Sequence, residues 1–310
     1  MRRSLVLDFD GSVAGRVDAA VLSLQTLHDR IRFGCSLREL RALADPLDAA
    51  LGTFPGVVFL GSGDFHHVSL PLIQRAARRG PLEVVVLDNH PDNMRWLGGI
   101  HCGSWVRHVA RLAAVRHVHV LGITSADISR ARLWENYLSP LWRGKLTYWS
   151  VGQPPSLLHR LANLAAFRNF DSPAELCEAF AAEQARNQAG VPVYLSIDKD
   201  VLSPSLVTCN WDQGCFDESH VHAVLSALQG RVIGCDITGE ISTHEYRTRW
   251  KRWVASLDAQ PDVDLPALEA HQREHDRLNA RLQPRILAAM VPEAASDPAC
   301  GLPSMRRVPA

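Results

Sequence analysis

Six short runs of apolar and β-branched residues recur along the chain: Leu5–Phe9, Val57–Leu60, Val84–Leu87, Val118–Leu121, Val193–Ile197 and Val232–Cys235. Each has about the length of a strand. None shows the period-two polar alternation of a strand with one wet face, so the runs fit a sheet covered on both sides. Helix-like stretches lie between them, over 68–79 and 172–189. The second opens on Ser172-Pro173-Ala174-Glu175, a capping-box spacing with proline in the first turn, and stops at Gly190. Strands alternating with helices imply a parallel sheet with right-handed crossovers. Hydrophobic residues make up 46% of the 310 and charged residues 21%, enough apolar material for a full core.

No composition break divides the strands into two sets, so residues 1–291 are expected to form one domain. Pro154-Pro155 marks a loop, and residues 139–170, rich in aromatics and arginine, read as an insertion. A charged helix-like stretch follows at roughly 265–283. The Pro/Ala/Ser-rich residues 292–310 read as a poorly ordered tail.

The 33 basic residues balance the 33 acidic ones, which removes the general electrostatic case for nucleic acid or an acidic membrane as partner. The seven cysteines form no C-x-x-C pair, against a zinc ribbon or a thioredoxin-like redox motif. The apolar run Leu5–Leu7 is too short for a signal-peptide core. No window approaches the roughly 18 apolar residues of a membrane span. A reducing, cytoplasmic setting is expected. The basic-aromatic cluster Arg247, Arg249, Trp250, Lys251, Arg252 and Trp253 reads as a covering helix or a subunit contact. His117 and His119 read as core or sheet surface.

Ligands of such sheets gather at the carboxyl ends of the strands, and three of these ends are rich in hard metal ligands. Leu87 is followed by Asp88-Asn89-His90-Pro91-Asp92, whose i, i+2, i+4 spacing would put Asp88, His90 and Asp92 on one side of an extended chain. Ile197 is followed by Asp198-Lys199-Asp200, with Lys199 expected to point away from the two carboxylates. Leu60 leads into Gly61-Ser62-Gly63-Asp64-Phe65-His66-His67. A single Asp after a strand is usually a turn former. Five ligands in two such sets are better explained by a cation, because carboxylates on neighbouring strand ends repel each other without one. Oxygen and imidazole donors without thiols suit a hard or borderline divalent ion such as Mn²⁺, and more than four of them suggest two ions.

Together the three segments resemble the signature motifs of the arginase/agmatinase/formimidoylglutamase (ureohydrolase) superfamily: a Gly-Gly-Asp-His turn, Asp-x-His-x-Asp and Ser-x-Asp-x-Asp-x-x-Asp-Pro. Asp88 to Asp92 fits the second motif fully. Ser196 to Pro204 fits the third except at Ser203, and the first carries one extra residue between Asp64 and the histidines. The resemblance covers about residues 55–245. It implies a three-layer α/β/α sandwich around a mostly parallel, roughly eight-stranded sheet, two Mn²⁺ ions per chain, a small-molecule substrate and a homo-oligomer. Carried over by position, Asp88, His90, Asp92, Asp198 and Asp200 would be metal ligands. The sixth would be His66, followed as in the family by a helix start, or else His67.

The resemblance further implies His101, in Gly99-Ile100-His101-Cys102-Gly103, as a proton-carrying catalytic residue. At Asp236-Ile237-Thr238-Gly239-Glu240 it implies Asp236 as a substrate contact and Glu240 as the carboxylate that grips a guanidinium. Where the family has a Gly-Thr-rich stretch, this chain has Trp211 and Asp212, which could stack on a planar group and pair with a cation. The implied chemistry is metal-assisted hydrolysis of a C–N bond in a guanidino, ureido or formimino compound. A metal-bridging hydroxide would attack while Asp200 and its fellow carboxylates hold the ions.

Three rivals stand beside this reading. Asp8-Phe9-Asp10-Gly11-Ser12 resembles the nucleophile motif of haloacid dehalogenase-type phosphatases. The fold could also serve as a non-catalytic metal-binding protein, or as a relative of the single-zinc deacetylases.

Overall fold

The structure, a computed structural model, describes residues 2–13, 17–52, 55–129, 131–153, 166–186, 190–252 and 265–292. Pro154-Pro155, residues 187–189, Trp253, Cys300 and all of the expected tail except Pro292 lie outside the described residues.

All six apolar runs are strands: β1 (Arg3–Asp8), β4 (Pro55–Ser62), β5 (Leu82–Leu87), β7 (Val115–Ile123), β10 (Val193–Asp198) and β11 (Val232–Glu240). Three more complete a nine-stranded sheet: β2 (Ala19–Ser23), β8 (Leu146–Val151) and β9 (Phe167–Phe170). Its order is β2-β1-β4-β11-β10-β5-β7-β8-β9, and every pairing is parallel. The count exceeds the expected eight because the sheet extends to β2 at one edge and β9 at the other. Residues 146–151 and 167–170 of the stretch read as an insertion are therefore sheet. β8, Leu-Thr-Tyr-Trp-Ser-Val, is wholly buried, but its polar and aromatic residues hide it among the arginines around it. A separate antiparallel pair joins β3 (Gly34–Cys35) to β6 (Ile100–His101).

The runs lack a polar face because successive residues pack into different layers. On one side lie Leu5, Val58, Leu60, Val84, Val86, Val118 and Val120, under the helices Ser69–Ala77 and Trp105–Ala110. On the other lie Val6, Val57, Phe59, Val85, Leu87, Leu195 and Ile197, under the helices Pro173–Arg186, Glu218–Ala227 and Leu265–Ala289. Each such side chain, fully buried, contributes about 1.5–3 kcal/mol of transfer free energy. The result is the expected three-layer sandwich.

The capping signal at 172–175 is realised: Glu175 N donates to Ser172 Oγ (3.2 Å) while the Glu175 carboxylate accepts from Asp171 N (3.1 Å). The last helix runs through Pro284 to Ala289, beyond the expected end near 283. In the basic-aromatic cluster, Lys251 Nζ donates to the carbonyls of Asp29, Arg30 and Arg32 at 2.8–2.9 Å, capping the short helix His28–Ile31. Among the described residues no helix is long and apolar enough to cross a membrane.

The strand order places the site. The chain runs from β4 to β5, outward through β7, β8 and β9, and returns to lay β10 and β11 between β4 and β5. Crossovers therefore leave this centre in opposite directions, opening a crevice at the carboxyl ends of its four strands. All three ligand-rich segments end there.

Candidate metal centre

Each segment turns sharply as it leaves the sheet. After β5 the chain does not stay extended as the i, i+2, i+4 reading supposed. His90 N donates to Asp88 Oδ1 (2.6 Å), and Asp92 takes a left-handed conformation at φ 44°. This tight turn, rather than an extended chain, brings the three ligands together. After β10, Asp198 Oδ1 accepts from Asp200 N (3.0 Å), starting a 3-10 turn over Lys199–Val201. Gly239 (φ +91°) lies alongside on β11, where a Cβ would sit 2.5 Å from Asp198 Oδ1, so a residue without a side chain is required. After β4, a buried 3-10 turn over Gly63–Val68 carries the histidines.

His66 is the histidine that enters the cluster. Its Nδ1 lies 3.0 Å from Asp92 Oδ2 and 3.3 Å from both Asp88 Oδ2 and Asp198 Oδ2, and its Nε2 is 3.0 Å from Ser196 Oγ. His67 is fully buried elsewhere, and neither ring nitrogen makes a well-formed hydrogen bond among the described residues. Burial pushes it down to about 3, so it is a neutral ring. His90 Nδ1 lies 2.9 Å from Asp200 Oδ2 and 3.6 Å from Asp88 Oδ1, and Asn89 N donates to Asp200 Oδ1 (3.0 Å). Among the described residues two groups have ligand atoms close enough to share an ion, His66/Asp88/Asp198 and Asp88/His90/Asp200, and Asp88 belongs to both.

The electrostatics express the crowding. Burial, together with the neighbouring Asp88, raises Asp92 and Asp200 to about 7. Burial and Asp200 raise Asp198. Burial disfavours the charged forms of His66 and His90. It is outweighed by Asp88 and Asp92 at His66 and by Asp200 at His90, and both imidazoles are held well above their usual range. Asp88 Oδ2, though buried, has no well-formed hydrogen bond among the described residues. Four carboxylates and two imidazoles, all O and N donors, fit a pair of divalent cations.

The cluster floors a cavity of about 630 Å³. His101, Trp211 and Asp212 line it. His101 Nδ1 accepts from Gly103 N (3.0 Å), its ring stacks on Phe33 (centroids 5.8 Å, 8°), and burial pushes it down to about 3. Asp212 Oδ1 lies 2.7 Å from His90 Nε2.

No family model matches the chain. An uncharacterized protein of Thermotoga maritima is 28% identical over 216 residues, covering 69% of this chain and 67% of its own. Among solved structures, the proclavaminate amidino hydrolase of Streptomyces clavuligerus superposes with a TM-score of 0.53 at 17% identity, covering 93% of each chain. A candidate agmatinase from Clostridium difficile superposes at 0.50 and 12% identity, covering 93% of this chain and 97% of that one. The chain has an arginase-like fold.

Two residues implied by the motifs are not in the cavity wall of this arginase-like fold. Asp236 is buried within the sheet, accepting from Tyr194 OH (2.7 Å), Ser196 Oγ (2.6 Å) and Ser69 Oγ (3.0 Å). Glu240 is buried against Lys199 Nζ, Asn279 Nδ2 (2.8 Å) and His275 Nδ1 (3.3 Å). For Glu240 the cause is Lys199, between Asp198 and Asp200: it points away from them, and its ammonium occupies the carboxylate that was expected to hold substrate. The phosphatase-like pair is committed too. Asp8 accepts from Gly11 N and Gln25 Nε2. Asp10 accepts from Ser12 and Ser242 hydroxyls and lies 3.5 Å from Arg32 Nη1. Ser196 and Trp105, which touch the ligands, escaped the sequence reading. Ser196 stood inside a quoted motif. Trp105, four residues after His101, had no motif to mark it.

Proposed function

We propose that the chain is a binuclear metallohydrolase of the ureohydrolase superfamily, cleaving a C–N bond of a guanidino, ureido or formimino compound. The sharing of Asp88 between two ligand groups carries this reading, because a carboxylate common to two three-residue groups suits a pair of ions rather than a single zinc. His66, Asp88, Asp92 and Asp198 would hold one ion, and Asp88, His90 and Asp200 the other. What the pair supplies when bound is Lewis acidity: water activation near neutral pH and stabilisation of developing negative charge.

This chain's own residues do the rest. Asp200 accepts a hydrogen bond from the attacking water and fixes its orientation. His101 is neutral at pH 7 with Nδ1 accepting from Gly103 N, so it carries its proton on Nε2 and offers that N–H to the departing nitrogen. Trp211 stacks on the planar group, and Asp212 pairs with its cationic end. Asp236 and Glu240 have no place in this scheme, since neither reaches the cavity.

Mn²⁺ as the metal and a homo-oligomeric assembly are proposed on the same resemblance, and a cytoplasmic setting and one domain over residues 1–291 with a 292–310 tail on the sequence composition. The test is a screen of Mn²⁺-reconstituted protein against guanidino and formimino compounds, reading urea, ammonia and formamide, beside an Asp198→Ala/Asp200→Ala control. Full metal content without turnover of any compound would leave a metal-binding protein rather than an enzyme.

A further inference from the structure

Trp105 is completely buried at the start of the helix Trp105–Ala110, which follows the short strand carrying His101. Its indole Nε1 donates to Asp92 Oδ2 at 2.6 Å, the same oxygen that lies 3.0 Å from His66 Nδ1. Its ring packs on the His66 imidazole, with centroids 4.7 Å apart and planes at 52°. One residue on, Val106 N donates to the Asp92 carbonyl (2.9 Å), so this helix holds Asp92 by backbone as well as side chain. The grip has something to hold. Asp92 is a non-glycine residue at φ 44°, a conformation that persists only where its surroundings fix it.

We propose that Trp105 is a positioning residue of the metal centre, fixing two ligands of one ion at once: Asp92 through the indole N–H and His66 through the face of the ring. This rests on the metallohydrolase reading above. Trp105 touches neither substrate nor metal. It makes the inner position, built on His66, Asp88, Asp92 and Asp198, pre-shaped in a way that the position built on His90 is not. Among the described residues, the distal nitrogen of His90 is steered instead by the exposed carboxylate of Asp212. Partners that orient metal ligands are worth about 10–100-fold in metal affinity.

The test is divalent-ion titration of the full chain against a chromophoric chelator, with metal per chain read by mass spectrometry. Trp105→Phe keeps a ring beside His66 and removes the N–H. A second variant carries benzothienylalanine at 105, which keeps the indole shape and replaces the N–H by sulfur. Both are expected to bind one of the two ions about 10–100-fold more weakly and the other with wild-type affinity. Two ions at wild-type affinity in both variants would overturn the proposal while leaving the metal centre standing. A loss in Trp105→Phe alone would also overturn it, since shape and not the N–H would then matter. A wild-type chain that binds no divalent ion would remove the centre and this inference together.

Discussion

The ammonium of Lys199 and the carboxylate of Glu240 meet inside the protein at 0% and 1% exposure, behind Asp198 and Asp200, which flank Lys199 in sequence. Asn279 joins both, so the pair also ties the last helix to the end of β11.

Removing one partner would leave the other charge buried without compensation. Lys199→Met is expected to destabilise the fold by about 3–5 kcal/mol, and Lys199→Met/Glu240→Leu by distinctly less. Denaturant unfolding of both variants and of Glu240→Leu closes the cycle. Additive losses would show that the pair is not coupled.

The two adjacent histidines should separate cleanly. His66→Ala is expected to lose at least one ion per chain. His67→Phe exchanges a neutral buried ring for an apolar one and is expected to keep full metal content. Metal analysis of the two purified variants decides it, and the opposite pattern would reassign the ligand.

Without metal, the cluster should make stability fall as pH rises. Asp92 and Asp200 stand at about 7, against an ordinary carboxylate value near 4 in the unfolded chain. A raised folded value means stability that is fully present below about 4 and is lost as pH climbs through about 7. His66, His90 and Asp198 are also raised and act in the same direction, while Asp88 is lowered and opposes them. Divalent ions displace these protons, so their stabilising effect should grow with pH. Melting curves with chelator and with metal, taken from pH 5 to pH 8, should diverge. Parallel curves would contradict the arrangement.

His101→Asn is expected to lower turnover by about 10²–10⁴-fold while metal content stays full, because the ring carries a proton and holds no ion. Loss of metal along with activity would assign it a structural part instead.

The layers were legible because burial on both faces leaves unbroken apolar runs, and all six are strands. β8 and β9 were not, since Thr147, Tyr148, Trp149, Arg168 and Asn169 interrupt the apolar signal and β9 lies at the sheet edge. The clustering of Asp and His side chains was legible because the motifs are contiguous in sequence. The fates of Asp236 and Glu240 were not, because they depend on partners far along the chain: Ser69 for Asp236, and Asn279 and His275 for Glu240. Spacing near a strand end tells which residues arrive at the crevice. It does not tell which are already engaged behind it.

The placement of β10 and β11 between β4 and β5 has a consequence for how the molecule comes into being. During synthesis β4 and β5 emerge first and are not neighbours in the finished sheet, so each keeps an edge without its final partner until about residue 240 has left the ribosome. Asp198 and Asp200 are thus delivered late, and a nascent chain would remain without the complete carboxylate and imidazole cluster until those two central strands slot into the gap.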